Sequence, residues 1–156
     1  MTDTFSPQQR SEIMRRVKGK DTSLERMLRS ALHRRGLRFR LNYPLPGKPD
    51  IVFVRQRVVA FVDSCFWHGC PQHLRMPKSN RDYWERKIGR NVQRDKENNA
   101  AYENLDWKLI RLWEHDLKDD FERCVRDVEE VVNLNRQSPI AVNIPLSELV
   151  CRKDRD

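Results

Sequence analysis

Residues 47–65 read GKPDIVFVRQRVVAFVDSC. Two β-branched and aromatic runs, Ile51 to Val54 and Val58 to Val62, flank Arg55-Gln56-Arg57. That pattern predicts a β-hairpin. Upstream, Tyr43 to Lys48 holds Pro44, Pro46 and Gly47 and reads as a turn region, and Leu37 to Asn42 reads as a further short strand. Thr22-Ser23-Leu24-Glu25 has the form of a capping box. Leu24, Met27, Leu28, Ala31 and Leu32 then recur at helical spacing, which predicts a core-facing helix over 23–35 ended by Gly36. Ser6-Pro7-Gln8-Gln9 signals an earlier helix that runs to about Val17, where Lys18-Gly19-Lys20 breaks it. Downstream come a loop over 64–79, a long helix from Asn80 to Asn104 and a strand from Trp107 to Trp113. A last amphipathic helix carries Leu117, Phe121, Cys124, Val125, Val128, Val131 and Val132. After Asn135 the periodicity dissolves, which predicts a mobile tail over 135–156. The order α, α, β, β, β, α, β, α predicts one mixed α/β domain, residues 1–134, around a small sheet.

The chain has 156 residues, enough for one domain with a core of its own. Lys and Arg number 31 against 23 Asp and Glu, a net charge of +8 that points to a polyanion, nucleic acid first. The excess is local: residues 10–40 hold eleven Arg and Lys opposed only by Glu12, Asp21 and Glu25, whereas the last helix is acidic. Phosphate binding on the basic side is weighed against an ordinary solvated surface. No apolar run is long enough to span a membrane, and MTDTFSPQQR has no apolar signal-peptide stretch. The expectation is a protein of the cytoplasm whose cysteines form no disulfide framework.

Asp50 stands at the mouth of the first hairpin strand and Asp63 at the end of the second. Antiparallel pairing brings those two ends together. Glu25 lies at the margin of its helix's buried face and adds a third carboxylate. Such a cluster suits Mg²⁺-assisted phosphodiester hydrolysis, although Pro49-Asp50 is by itself also an ordinary turn start. Cys65, Cys70, His73 and His115 offer a closed two-thiolate, two-imidazole zinc set; free thiols and surface histidines are the alternative. That set leaves His68 available as a general base or as a supporting histidine. Phe66 and Trp67 are either core residues or wedges that enter between base steps. On the long helix Trp84, Lys87, Ile88, Asn91, Asp95 and Asn98 share one face, which fits the wall of a nucleic-acid cleft or a frayed amphipathic stripe.

The blocks GKPDIVF, VDSCFWHGCPQH, PKSNRDYWERKIGRNVQRD and WKLIRLWEHD, within residues 8–134, resemble the very-short-patch-repair (Vsr) mismatch endonucleases. The resemblance implies a restriction-endonuclease-like core, α-β-β-β-α-β, with an extra N-terminal DNA-contacting helix over 6–18. It implies a Mg²⁺-dependent nick 5′ of the T in a T·G mismatch left by 5-methylcytosine deamination, and a structural zinc. By position, it assigns Mg²⁺ to Asp50 and the Val62 carbonyl, catalysis to His68, and action through a water to Glu25. Asp95 is the acid that supports the site. Phe66, Trp67 and Trp84 are the wedge, Lys87 and Asn91 contact the mismatch, and Met14 contacts DNA from the first helix. Some members carry His where this chain has Asp63, so Asp63 stays open between metal ligand and supporting group. The zinc ligands vary between Cys and His, and Cys65, Cys70, His73 and His115 fit. The wider superfamily's catalytic Lys would fall at Cys65, and its absence strengthens His68 as the base. The implied setting is a bacterial, nucleoid-associated monomer acting on double-stranded DNA, with mismatch-repair proteins as candidate partners. Two other readings compete: a nuclease of the same fold that cuts intact sites, and a non-catalytic zinc-containing DNA-binding protein.

Overall fold

The structure is a computed structural model that describes residues 6–16 and 21–136, with the side chains of Arg10 and Met14 outside that set. It contains α1 (Pro7–Arg16), α2 (Ser23–Arg34), β1 (Ile51–Phe53), β2 (Val58–Asp63), α3 (Arg81–Asn104), β3 (Lys108–Trp113), α4 (Glu114–Asp119) and α5 (Phe121–Arg136). Local chemistry sets the two N-terminal helix starts. Gln9 N–H donates to Ser6 Oγ at 3.2 Å, and Ser6 N–H donates to Gln9 Oε1 at 2.8 Å, a reciprocal capping box. At α2, Glu25 N–H donates to Thr22 Oγ1, while the Glu25 carboxylate accepts from the Asp21 N–H at 2.8 Å.

The hairpin forms as expected: β1 and β2 are antiparallel with Val52 opposite Val59. α3 then crosses over, and β3 pairs parallel to β2, giving the order β1-β2-β3. Alternation along the strands splits the core into two layers. Ile51, Phe53, Val58 and Ala60 pack with Leu28 and Leu32 of α2 and with Val125, Val128 and Val132 of α5. Val52, Val59 and Phe61 face the other way, against Leu45, Tyr102 and Trp107.

Three expectations need correction. No strand forms over Leu37 to Asn42: Arg40 alone bridges to Val52, so the sheet has three strands and the expected α-β-β-β-α-β core has a bridge where its first strand would be. Asn42 at φ 52° turns the chain away, and Pro44 follows with no N–H to extend a ladder. The last helix is two, because Asp120 breaks it (φ −146°, ψ 75°) and its carboxylate accepts the Arg123 N–H at 3.1 Å. Finally, α5 runs through Arg136, past the expected tail boundary at 135, and the rest of that tail lies outside the described residues.

The basic and acidic stretches are not kept at opposite ends. Arg35, just beyond α2, is ion-paired to Glu122 at 2.7 Å and Glu129 at 2.6 Å on α5, and Arg29 pairs with Asp21. Arg35 thus links the end of α2 to α5, and neither arginine stands free for phosphate. No helix among the described residues is long and apolar enough to cross a membrane.

Candidate active site and metal centre

Asp50 sits where the turn enters β1. Its N–H donates to the Ala60 carbonyl at 3.1 Å, and its Oδ2 accepts the Val62 N–H at 2.7 Å. The strand pairing thus fixes Asp50 beside Val62, and Asp63 follows directly. Burial pushes the Asp50 carboxyl up to about 6; the Val62 N–H opposes that rise, and the charges of Glu25 and Asp63 add to it. Glu25 is buried, 7% exposed, and lines with Asp50 a small cleft of about 170 Å³ at the start of α2. Both its oxygens are engaged, one with the Asp21 N–H and one with the Thr22 hydroxyl. The site therefore concentrates hard-oxygen negative charge in a partly dry setting, a donor set that fits Mg²⁺.

Asp63 is oriented differently. Arg111 Nη1 donates to both its oxygens, at 3.0 and 2.8 Å. His68 Nδ1 lies 3.7 Å from Asp63 and 2.7 Å from Asp95 Oδ2. Asp63, His68 and Asp95 are close enough to share an ion, and Asp50 is not among them. Arg111 fills the role of counter-ion there: Nη2 is 3.5 Å from Asp95, Nε donates to Asn99 at 3.0 Å, and the guanidinium lies over Phe61. Burial raises the Asp63 carboxyl, and the charges of His68 and then Arg111 oppose that rise. With the Asp95 carboxylate accepting, Nδ1 of His68 is the donor, an arrangement that in the neutral imidazole puts the lone pair on Nε2. His68 lines a larger cleft of about 550 Å³.

The second constellation is compact. Cys65 Sγ lies 3.2 Å from His115 Nδ1, and Cys70 Sγ lies 3.6 Å from His115 Nδ1 and 3.8 Å from His73 Nδ1. Metal–ligand lengths of about 2.0–2.3 Å require tetrahedral edges of roughly 3.3–3.8 Å, so these spacings fit zinc. A tight turn closed by Cys70 N–H donating to the Cys65 carbonyl at 2.9 Å brings three of the ligands together, and the first turn of α4, directly after β3, delivers His115. Gly69, at φ 63°, lets the turn press onto α3: a Cβ there would meet Val92 Cγ2 at 2.9 Å.

Residues 2–73 match the family model described as DNA mismatch endonuclease Vsr. The chain is 45% identical over 121 residues to the type II nicking enzyme V.XorIIP of Xanthomonas oryzae, covering 76% of this chain and 89% of that protein. It is 41% identical over 124 residues to the type II nicking enzyme V.NaeI of Lentzea aerocolonigenes, covering 76% of this chain and 75% of the relative. It is 37% identical over 116 residues to the DNA mismatch endonuclease Vsr of Escherichia coli, covering 73% and 74%. The chain belongs to the Vsr family. It is a DNA nicking endonuclease.

The Vsr chain brings its aromatics together outside both core clusters. Phe66 lies edge-on to Trp67 (5.0 Å between centroids) and to Trp84 (5.5 Å), with Trp67 and Trp84 6.0 Å apart. Lys87 Nζ sits 5.1 Å over Trp67, and Asn91 Nδ2 donates to the Trp67 carbonyl at 3.1 Å. The N-terminal part of the stripe, Trp84, Lys87 and Asn91, thus meets the aromatic loop, Asp95 meets His68 and Arg111, Asn98 meets Gly47, and Ile88 is buried. Met14 is on α1, with its side chain outside those described. One residue escaped the sequence reading, namely Arg111. A lone guanidinium between Ile110 and Leu112 in an apolar strand is the signal that pointed to it, since a half-buried charge needs a partner.

Proposed function

We propose that this Vsr endonuclease nicks DNA on the 5′ side of the T in a T·G mismatch, with Mg²⁺ at Asp50 and a structural zinc in the Cys65, Cys70, His73 and His115 set. The observation that carries this reading is one loop: Phe66 and Trp67, half-buried and outside both core clusters, immediately precede His68, whose Nδ1 is held by Asp95 at 2.7 Å. The residues that could open a base step and the residue that could take a proton are therefore fixed relative to one another.

The chain's own groups have distinct tasks. Asp50 provides a carboxylate oxygen to the cation, while its Oδ2 stays anchored on the Val62 N–H. The Val62 carbonyl would be the second protein oxygen offered to that cation. Glu25, with both oxygens in hydrogen bonds, acts through a water rather than by direct contact. His68 Nε2 accepts the proton of the attacking water, and Asp95 holds the imidazole in that tautomer. When bound, Mg²⁺ supplies charge stabilisation at the scissile phosphate. Asp63, clamped by Arg111, serves as a fixed negative charge beside His68 rather than as a ligand. Lys87 and Asn91 contact the mismatched bases, and residues 6–18, Met14 included, contact the duplex. The enzyme works as a monomer on 5-methylcytosine deamination products in a bacterial cytoplasm, at the nucleoid, with mismatch-repair proteins as candidate partners.

The test is direct. Purified protein with Mg²⁺ is given end-labelled duplexes, one matched and one carrying T·G. A single nick in the T-containing strand of the second duplex is expected. Equal cutting of both would favour a nuclease for intact sites, and no cutting of either would overturn the reading.

A further inference from the structure

The cleft of about 550 Å³ beside His68 lies between the turn at residues 46–49 and α3, with Gly47, Lys48, Asn91, Arg94 and Asn98 on its walls. Its volume suits one nucleotide unit. Its charge is positive where it is free to act. Asp95, the acid in the wall, is already engaged by His68 at 2.7 Å and Arg111 at 3.5 Å. Lys48 and Arg94, both exposed, make no ion pair with the described residues, and Arg94 donates to the neutral Asn91 Oδ1 at 3.0 Å.

The turn that carries Lys48 is held in place. Tyr102, fully buried, donates its hydroxyl to the Pro46 carbonyl at 2.5 Å, and Lys48 N–H donates to the Leu45 carbonyl at 3.1 Å. Gly47 adopts φ 74° with Asn98 so close that a Cβ would sit 2.6 Å from its Nδ2. Lys48 itself adopts φ 54°, an uncommon conformation for a residue with a Cβ. The fold thus accepts a strained backbone to present this lysine at a fixed point on the rim, with Arg94 on α3 lining the same cleft.

We propose that Lys48 and Arg94 clamp the backbone phosphate of a nucleotide neighbouring the scissile one, on the strand that is cut, with the Asn98 amide as a further donor. This rests on the reading that His68 faces the scissile phosphate. A phosphate is the chemistry that two unneutralised cations and amide donors recognise, and a clamp of this kind positions the strand without reading its sequence.

The experiment measures binding, with Ca²⁺ replacing Mg²⁺, to matched and T·G duplexes by fluorescence anisotropy across a salt range. Lys48→Gln and Arg94→Gln are each expected to weaken binding about tenfold on both duplexes. The Lys48→Gln/Arg94→Gln double variant should lower the slope of log affinity against log salt by about 0.9, the increment for one phosphate contact, and each single variant by a part of that. Lys48→Arg should retain both. Methylphosphonates, which remove one charge, are then placed singly at each phosphate flanking the nick. One position should weaken the wild type and leave the Lys48→Gln/Arg94→Gln variant unaffected. Unchanged salt slopes, or a double variant as sensitive as wild type at every position, would overturn the clamp. The matched-duplex slopes report on it even if the wild type nicks no T·G duplex, an outcome that would instead sink the proposed function.

Discussion

Asp50 is poised against its own fold. Its carboxyl is raised from 3.8 to about 6, so the folded chain holds that proton more tightly than the unfolded chain does. The stabilisation this gives is complete below about pH 3.8 and is lost as the pH climbs through 6, after which the ionised group costs on the order of 3 kcal/mol. Asp50→Asn should therefore raise the melting temperature of metal-free protein at pH 8, have little effect at pH 4, and abolish nicking while leaving DNA binding. Thermal melts at the two pH values check the sign; a variant less stable at pH 8 would contradict it. Arg111 and Asp63 show the opposite economy. Their side chains are 16% and 3% exposed, so removing the cation alone strands a buried carboxylate, a loss of about 3–5 kcal/mol for Arg111→Leu. Asp63→Asn/Arg111→Leu should recover most of it, which denaturant titration of the single and double variants would reveal.

In the proposed function, the element that would join chemistry to recognition is the 64–73 loop. It contributes little to either core cluster, so its order depends on its own turns, on its contacts with α3 through Trp84, Asn91 and Asp95, and on the cluster of Cys65, Cys70, His73 and His115. Chelation should strip zinc, leave far-UV circular dichroism nearly intact and make the loop a protease target. Nicking should return on adding zinc with Mg²⁺ but not Mg²⁺ alone; a zinc-free protein that nicks normally would remove zinc from the argument. The sequence reading succeeded wherever the determining contacts are local. The capping boxes at Ser6 and Thr22, the hairpin and the Cys/His loop each declare themselves within a few residues. It failed over Leu37 to Asn42, because a strand exists only if a partner ladder continues, and φ 52° at Asn42 followed by Pro44 stops it after one bridge. It missed Arg111 for a related reason: its partner Asp63 is 48 residues away, and nothing short-range links them. Asp50 and Asp63 were rightly expected at one sheet edge, but alternation does not say that Asp50 turns to Val62 while Asp63 turns to an arginine on β3.

At the scale of the whole molecule, two kinds of contact divide the labour. Cations on the surface hold phosphates of any duplex, so their contribution falls with salt and is blind to pairing. In the function proposed above, the aromatic trio on the loop and α3 would act through deformation: inserting side chains between base steps costs a few kcal/mol of unstacking per step. Unpairing is least costly at a mismatch, so T·G pays less of that cost than a matched pair does. A difference of about 1.4 kcal/mol would already give tenfold preference in rate. Because Phe66 packs edge-on against Trp67 and Trp84, and the two tryptophans lie tilted 6.0 Å apart, truncating one leaves a partial wedge. The Phe66→Ala/Trp67→Ala double variant should therefore lose more rate on the T·G duplex than on the matched one, and the ratio of the two should shrink at every salt concentration. Nicking rates on both duplexes, measured with saturating Mg²⁺ at low and high salt, separate the contributions. A double variant that cuts slowly but keeps the full ratio would mean that the aromatics only seat the enzyme, and that Lys87 and Asn91 on α3 discriminate through base edges alone.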